Sequence, residues 1–275
     1  MNKDESQNNN ENCGTRKFKE EEEGIVGLTQ DMFSIAYRIY WFGVNLVKDV
    51  INLLIDDATN AVGDKKKYAL AQLLLLNRSI QHIESMRLLT ESGFYGNSFL
   101  VLRSLMSDLA MLQYLHFHPE LLDLFLNEKK DDYQENNDFK KAFSEGAVEK
   151  DLVERGIKPF SSTFQVLSKV SHSSSFGSQL YGSRGEKGGQ YHFNYGPKYE
   201  PEKSLMLLDI IVSAYYDLAD NILWHRYNAK EEINSGAWNK VKEDVGELRS
   251  KINIHTEATK DTLKIMWPEL SGNNN

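Results

Sequence analysis

Apolar positions recur in steps of three and four along most of the chain, the period of a helix with one buried face. Phe33, Ala36, Tyr37, Tyr40, Val44, Val47, Ile51 and Leu54 form the first such face. It predicts a helix from Thr29, as N-cap, to about residue 59, ended by Asp56-Asp57 and then Gly63-Asp64. A second helix follows over about 66–91. Its apolar half is YALAQLLLL, and its polar stripe carries Asn77, Gln81, Glu84 and Ser85. The short link SGFYGN leads into a third, over about 94–117. Short links give antiparallel neighbours. This third helix contains FLVLRSLMSDLAMLQYL, apolar on almost every side, the pattern of a helix at the centre of a bundle.

Beyond His118-Pro119 the pattern weakens. A short helix is expected to about residue 128. A polar stretch follows, helical over about 138–154 and ended by Gly156 and Pro159. Ser161 or Ser162 is placed to cap a further helix ending near His172. From there to about residue 200 the composition changes to glycine and aromatic residues. Tyr191, Phe193 and Tyr195 alternate, and GSRGEKGG has the composition of a turn, so residues 176–196 read as a small β-hairpin or an ordered loop packed on the bundle. Helical spacing resumes over about 202–227 and again through Trp238, Val241, Val245, Leu248 and Ile252. That last seam fades after two heptads and so favours packing within the chain over a zippered dimer.

The expectation is a mainly α protein, a single bundle of about six or seven helices over residues 25–270, with its most buried pair at 66–91 and 94–117. Residues 1–24, rich in Asn, Glu and Lys, and the SGNNN end over 271–275 read as disordered. At 275 residues and 40% hydrophobic the chain has ample material for one core. The net charge of −8 and pI near 5.5 argue against broad nucleic-acid binding while leaving room for a local basic pocket. Cys13 is alone, so neither an internal disulfide nor a cysteine zinc site is expected. With no signal-like start and no uninterrupted apolar span, the reading is a cytoplasmic protein without membrane insertion.

The central helix carries a polar stripe of Arg103, Ser104, Ser107 and Asp108. Buried charges require partners. A hairpin turning near Phe94 sets Glu84 opposite position 104, so Glu84 is expected beside Arg103 and Ser104, with Asp108 in the same polar core network. Its first reading is structural, an ion pair fixing helix register. A catalytic carboxylate is the alternative.

No strong catalytic motif is present: there is no phosphate-binding GxxxxGK[ST] loop, no HExxH, no paired CxxC and no GxSxG. No metal and no cofactor is expected. Taken singly, His82, His116, His118 and His225 read as surface or cap histidines. His172 is the better candidate, at a helix end one turn after Ser168, with Arg184 and His192 in the segment that follows. A histidine that moves protons and a cation that steadies a phosphate suffice for metal-free RNA cleavage. His172, Arg184 and His192 are therefore the candidate catalytic set, with Ser168 and Tyr191 as binding residues beside it.

SFLVLRSLMSDLAMLQYLHFHPE, followed some fifty residues later by FQVLSKVSH, resembles a bacterial all-helical family of unknown function. Arg103, Asp108, Tyr114-Leu115, Pro119, Leu167-Ser168 and His172 stand at its motif positions. The acidic residue is Asp rather than Glu and is shifted by about one place. The family is loosely similar to the HEPN-like helical proteins, many of them toxin–antitoxin and phage-defence components. That resemblance implies an Arg-x4-6-His motif for ribonucleases. Here Arg78 and His82 have three residues between them, and Arg184 and His192 have seven. Two functions follow as expectations. The first is a binding or regulatory protein, with an unknown protein partner or RNA. The second is a metal-independent ribonuclease using His172 with Arg184.

Overall fold

A computed structural model describes residues 19–31, 33–127, 137–157, 182–184, 191–193, 197–228 and 236–266. The protein is mainly helical. Helix α1 covers residues 19–31, followed by α2 (Ser34–Asn60), α3 (Asp64–Glu91) and α4 (Tyr95–Phe117). After a 3-10 turn at Pro119–Leu121 come the short helices α5 (Leu122–Leu126), α6 (Asn137–Phe143) and α7 (Glu145–Glu154). Strands β1 (Gly182–Arg184) and β2 (Tyr191–Phe193) precede the long helices α8 (Pro201–Asn228) and α9 (Gly236–Met266). Among the described residues there are more helices than expected, because residues 19–31 form a helix of their own and the stretch expected as one helix over about 138–154 divides in two.

The helix that carries the first apolar face, α2, starts at Ser34, later than expected, and a separate helix, α1, precedes it. Thr29 lies inside α1, fully buried, and its hydroxyl donates to the Ile25 carbonyl at 2.9 Å rather than capping a new helix. Of the tail expected over 1–24, residues 19–24 are helical; residues 1–18 lie outside the described residues.

The α3–α4 turn is built by glycine. Gly93 has φ +77°, its N–H donates to Thr90 O at 3.1 Å, and the Phe94 N–H donates to Leu89 O at 2.7 Å. This pair of bonds is a Schellman closure, which favours glycine in the left-handed position. A Cβ on Gly93 would also lie 2.6 Å from the Lys198 carbonyl oxygen. The same closure ends α7 at Gly156, φ +85°, where the sequence placed a stop. Ser144 caps the start of α7, accepting from the Ala147 N–H at 3.3 Å.

The α3–α4 hairpin makes the largest helix–helix contact. Helix α8 packs on α2, α3 and α4, and α9 closes the bundle against α2 and α8. The core runs through Leu46 and Leu54 of α2, Leu76 and Ile83 of α3, Leu105 and Leu112 of α4, and Leu218 of α8. Helix α8 is as deeply buried as the pair expected to be central, because neighbours cover it on three sides. No described helix is long and apolar enough to cross a membrane.

Between α7 and α8, β1 and β2 pair antiparallel, with Gly182 opposite Phe193, Ser183 opposite His192 and Arg184 opposite Tyr191. The remainder of the expected hairpin or loop over 176–196 lies outside the described residues.

Candidate functional site

The antiparallel bundle gathers four helix ends at one pole: the C-terminal ends of α2, α4 and α8 and the first turns of α3. A cavity of about 610 Å³ opens among them. Each end contributes polar groups to its wall: Asp57 and Asn60 from α2, Tyr68 and Gln72 from α3, His116 from α4 and His225 from α8. Leu115, Leu122 and Ala69 supply apolar surface.

Two imidazoles organise this site. His116 and His225 stack face to face, centroids 4.4 Å apart and planes 2° from parallel. The Tyr68 hydroxyl lies 2.6 Å from His225 Nδ1 and 3.3 Å from His116 Nδ1. Gln72 Nε2 lies 3.4 Å from the same His225 nitrogen. An amide nitrogen only donates, so with the Gln72 amide in this orientation His225 Nδ1 accepts and the ring proton sits on Nε2. Tyr68 then donates to His225 and accepts from His116 Nδ1–H. Trp224, 40% exposed, meets the His116 ring edge-on at 5.0 Å.

Burial governs the charge state. His225 is 1% exposed, and its pKa is pushed down to about 3, by desolvation first and by His116 beside it second. Desolvation also lowers His116. Both rings are neutral at pH 7, because no carboxylate compensates the cost of charging them in this wall. His225 Nε2 is buried without a hydrogen-bond partner. A buried polar atom left unsatisfied costs about 1–3 kcal/mol. At the side of the cavity, Arg226 pairs with Asp57 and stacks over Trp238 at 3.9 Å. Among the described residues no group of three or more His, Cys, Asp or Glu is disposed to hold a metal ion.

The expected single network of Glu84, Arg103 and Asp108 is instead three separate clusters. Asp108, 1% exposed, takes an ion pair from Arg78, with Ser79 Oγ at 3.5 Å and His82 Nε2 at 3.5 Å. Burial raises the Asp108 pKa even though Arg78 opposes it. Arg103 reaches α7 and pairs with Glu145 at 2.7 Å. Glu84 accepts from the Tyr40 hydroxyl, from Tyr215 at 3.1 Å and from Arg87 at 3.1 Å. Burial works to raise the Glu84 pKa, but these hydrogen bonds outweigh it and hold the carboxyl below its usual value.

The error was one of rotation. A hairpin turning at Gly93 does set Ser79 against Asp108 and Tyr68 against His116, as observed. Residues 103 and 108 are five apart, roughly 140° around a helix, so they cannot serve one face. Glu84 points away from α4, towards α2 and α8.

The other predicted residues are only partly placed. Arg184 and His192 occupy neighbouring rungs of the β1–β2 ladder, Arg184 opposite Tyr191 and His192 opposite Ser183. His172 and Ser168 lie outside the described residues. Sequence reasoning missed Tyr68, Gln72, His116 and His225. Its own hairpin arithmetic held the signal for the first pair, since it sets Tyr68 against the end of the central helix. Nothing local linked His225 to them.

Compared with known proteins, the chain matches no protein-family model, no curated protein and no solved structure.

Proposed function

We propose that this chain is a small-molecule-binding helical protein, a regulatory component that senses or carries a ligand in the cavity at the four helix ends. One observation carries the reading: a cavity of about 610 Å³ at the four helix ends, with apolar wall from Ala69, Leu115 and Leu122 and polar groups of Tyr68, Gln72, His116 and His225 converging on it. Ligand cavities of about 300–1,000 Å³ with apolar walls and a few convergent polar groups are the usual form of such sites. The resemblance carried by Arg103, Asp108, Pro119 and the Leu167-Ser168 to His172 block supports a place among bacterial cytoplasmic defence or stress components. The test is a thermal-shift screen of a broad panel of neutral and charged metabolites against the full chain. A ligand at about 100 times its Kd adds about 2.7 kcal/mol, a shift of several degrees. The shift should vanish in Ala69→Phe, which fills the cavity. A panel without a single cavity-dependent hit removes the reading.

A second reading is metal-free RNA cleavage by His172 with Arg184 and His192. Its support is the resemblance that puts Leu167-Ser168 and His172 at motif positions, with Arg184 and His192 in the segment that follows. Cleavage of a mixed RNA substrate in chelator, lost in both His172→Ala and Arg184→Ala, is the expected result. Activity indifferent to either substitution, or none in the parent chain, eliminates it.

A further inference from the structure

We propose that the outer face of the α2–α3 pair is the contact surface of a homodimer, with α3 packed antiparallel on the same helix of a second copy about a two-fold axis at the level of Ser79. This goes beyond the binding reading and does not depend on it.

Exposed apolar side chains gather on this face. Leu70, Leu74 and Leu88 of α3 and Trp41 and Ile55 of α2 are all exposed, Leu74 at 57%, Leu88 at 54% and Trp41 at 57%. On α3 they fall in one stripe. Leu70, Leu74, Asn77, Gln81 and Leu88 are exposed and step by four, three, four and seven, which keeps them within about 60° of one line along the helix. The buried Leu75, Leu76, Ser79, Ile83 and Met86 take the opposite side. Spacing of this kind is the seam that one helix presents to another, and here it stands open to water.

Helix α2 widens the stripe. It runs antiparallel beside α3: Tyr37 donates to Glu91 at 2.7 Å, Tyr40 donates to Glu84, and at the far end Asp57 and Tyr68 line one cavity. That register sets Trp41 within about a turn of Leu88, and Ile55 within about a turn of Leu70. Trp41 is braced in place. Its ring meets Tyr40 edge-on at 5.1 Å, and Tyr40 is buried and held by Glu84. Rigid aromatic anchors of this kind carry much of the energy of protein interfaces.

The face is complementary to itself, as a two-fold contact requires. An axis at the level of Ser79 pairs Leu70 with Leu88 of the partner subunit and Asn77 with Gln81 of the partner subunit. The same axis brings Trp41 within about a turn of Ile55 of the partner subunit. Apolar meets apolar, and amides, which both donate and accept, meet amides. Arg78, beside the axis, is already paired with Asp108 and brings no uncompensated charge. Size agrees. The five apolar side chains offer on the order of 400 Å². The exposed Asn45, Lys48, Asn52, Asn77 and Gln81 among them bring the face to roughly 800 Å² per copy, that of a standard specific interface.

The experiment is sedimentation velocity of the full chain over about 1–200 μM, where a micromolar dimer dissociates on dilution. The parent should sediment at twice the 31.6 kDa chain mass at the upper end. Leu74→Lys and Leu88→Lys change exposed positions and enter a two-fold contact twice, so each should weaken association at least tenfold. Val153→Lys, at an exposed position on α7, should leave it unchanged. Register is read by oxidation in a Cys13→Ser background. Leu70→Cys and Leu88→Cys chains should form a disulfide-linked dimer when mixed and not when oxidised separately. A parent that stays monomeric throughout overturns the proposal and leaves the face to a different protein. A dimer indifferent to both lysine variants, or one linked as well by either single cysteine alone, overturns it too.

Discussion

His225 exchanges water for a helix interface, and its protonation becomes a stability term. Its folded pKa is about 3, below the ordinary 6.5, because burial penalises the imidazolium and His116 adds to the penalty. The unfolded chain therefore binds a proton that the folded chain refuses. Stability from this residue is complete above pH 6.5 and is lost as pH falls towards 3. Between pH 7 and pH 5 the loss is roughly 2 kcal/mol. His116, lowered in the same direction, adds to the slope and remains in a His225 variant. Urea unfolding at pH 7 and pH 5 should show the parent losing roughly 2 kcal/mol more than His225→Phe; equal losses would mean that His225 is not held neutral. The same physics acts elsewhere on Tyr37 and Tyr215, whose phenols are driven well above the ordinary range by burial and by the Glu91 and Glu84 carboxylates they touch. These residues were in plain view as letters. Their chemistry was not, since a pKa is set by which neighbours replace water.

At the scale of elements, helix periods were well marked and helix rotations were not. The apolar faces of α2, α3, α4, α8 and α9 follow from three-and-four spacing, and both Gly93 and Gly156 stop helices as their freedom at positive φ requires. Rotation about each axis is settled by contacts between helices, and that is why Glu84 meets Tyr40 and Tyr215 rather than Arg103. The α2–α8 crossing shows how tight such contacts are. Gly43 is buried against Tyr215, and a Cβ there would lie 2.8 Å from the Tyr215 Cβ, where neither atom has a flexible tail to yield. Gly43→Ala gains helix propensity of about 1 kcal/mol yet should destabilise by a net 1–3 kcal/mol or so, the usual penalty of overpacking. Denaturant titration reads the difference directly. A stabilised Gly43→Ala protein would show that the two helices sit further apart.

At the scale of the whole molecule, an acidic chain of 275 residues with five long amphipathic helices is bound to form a helical bundle, because only such packing buries those faces. Helix class, the α3–α4 hairpin with its short link, and the presence of a buried charge in the central helix are all local consequences of spacing and composition. They were legible along the chain. The division of the polar residues into separate clusters was not, and neither was the site. Tyr68 and His225 are 157 residues apart, and no spacing rule connects positions on α3 and α8. They meet because four helices end at one pole, and that arrangement depends on bundle topology and on helix rotation. Local periodicity therefore specifies which faces must be buried. Packing of one face against another specifies which side chains share a cavity, which imidazole loses its water and which ring nitrogen is left without a partner.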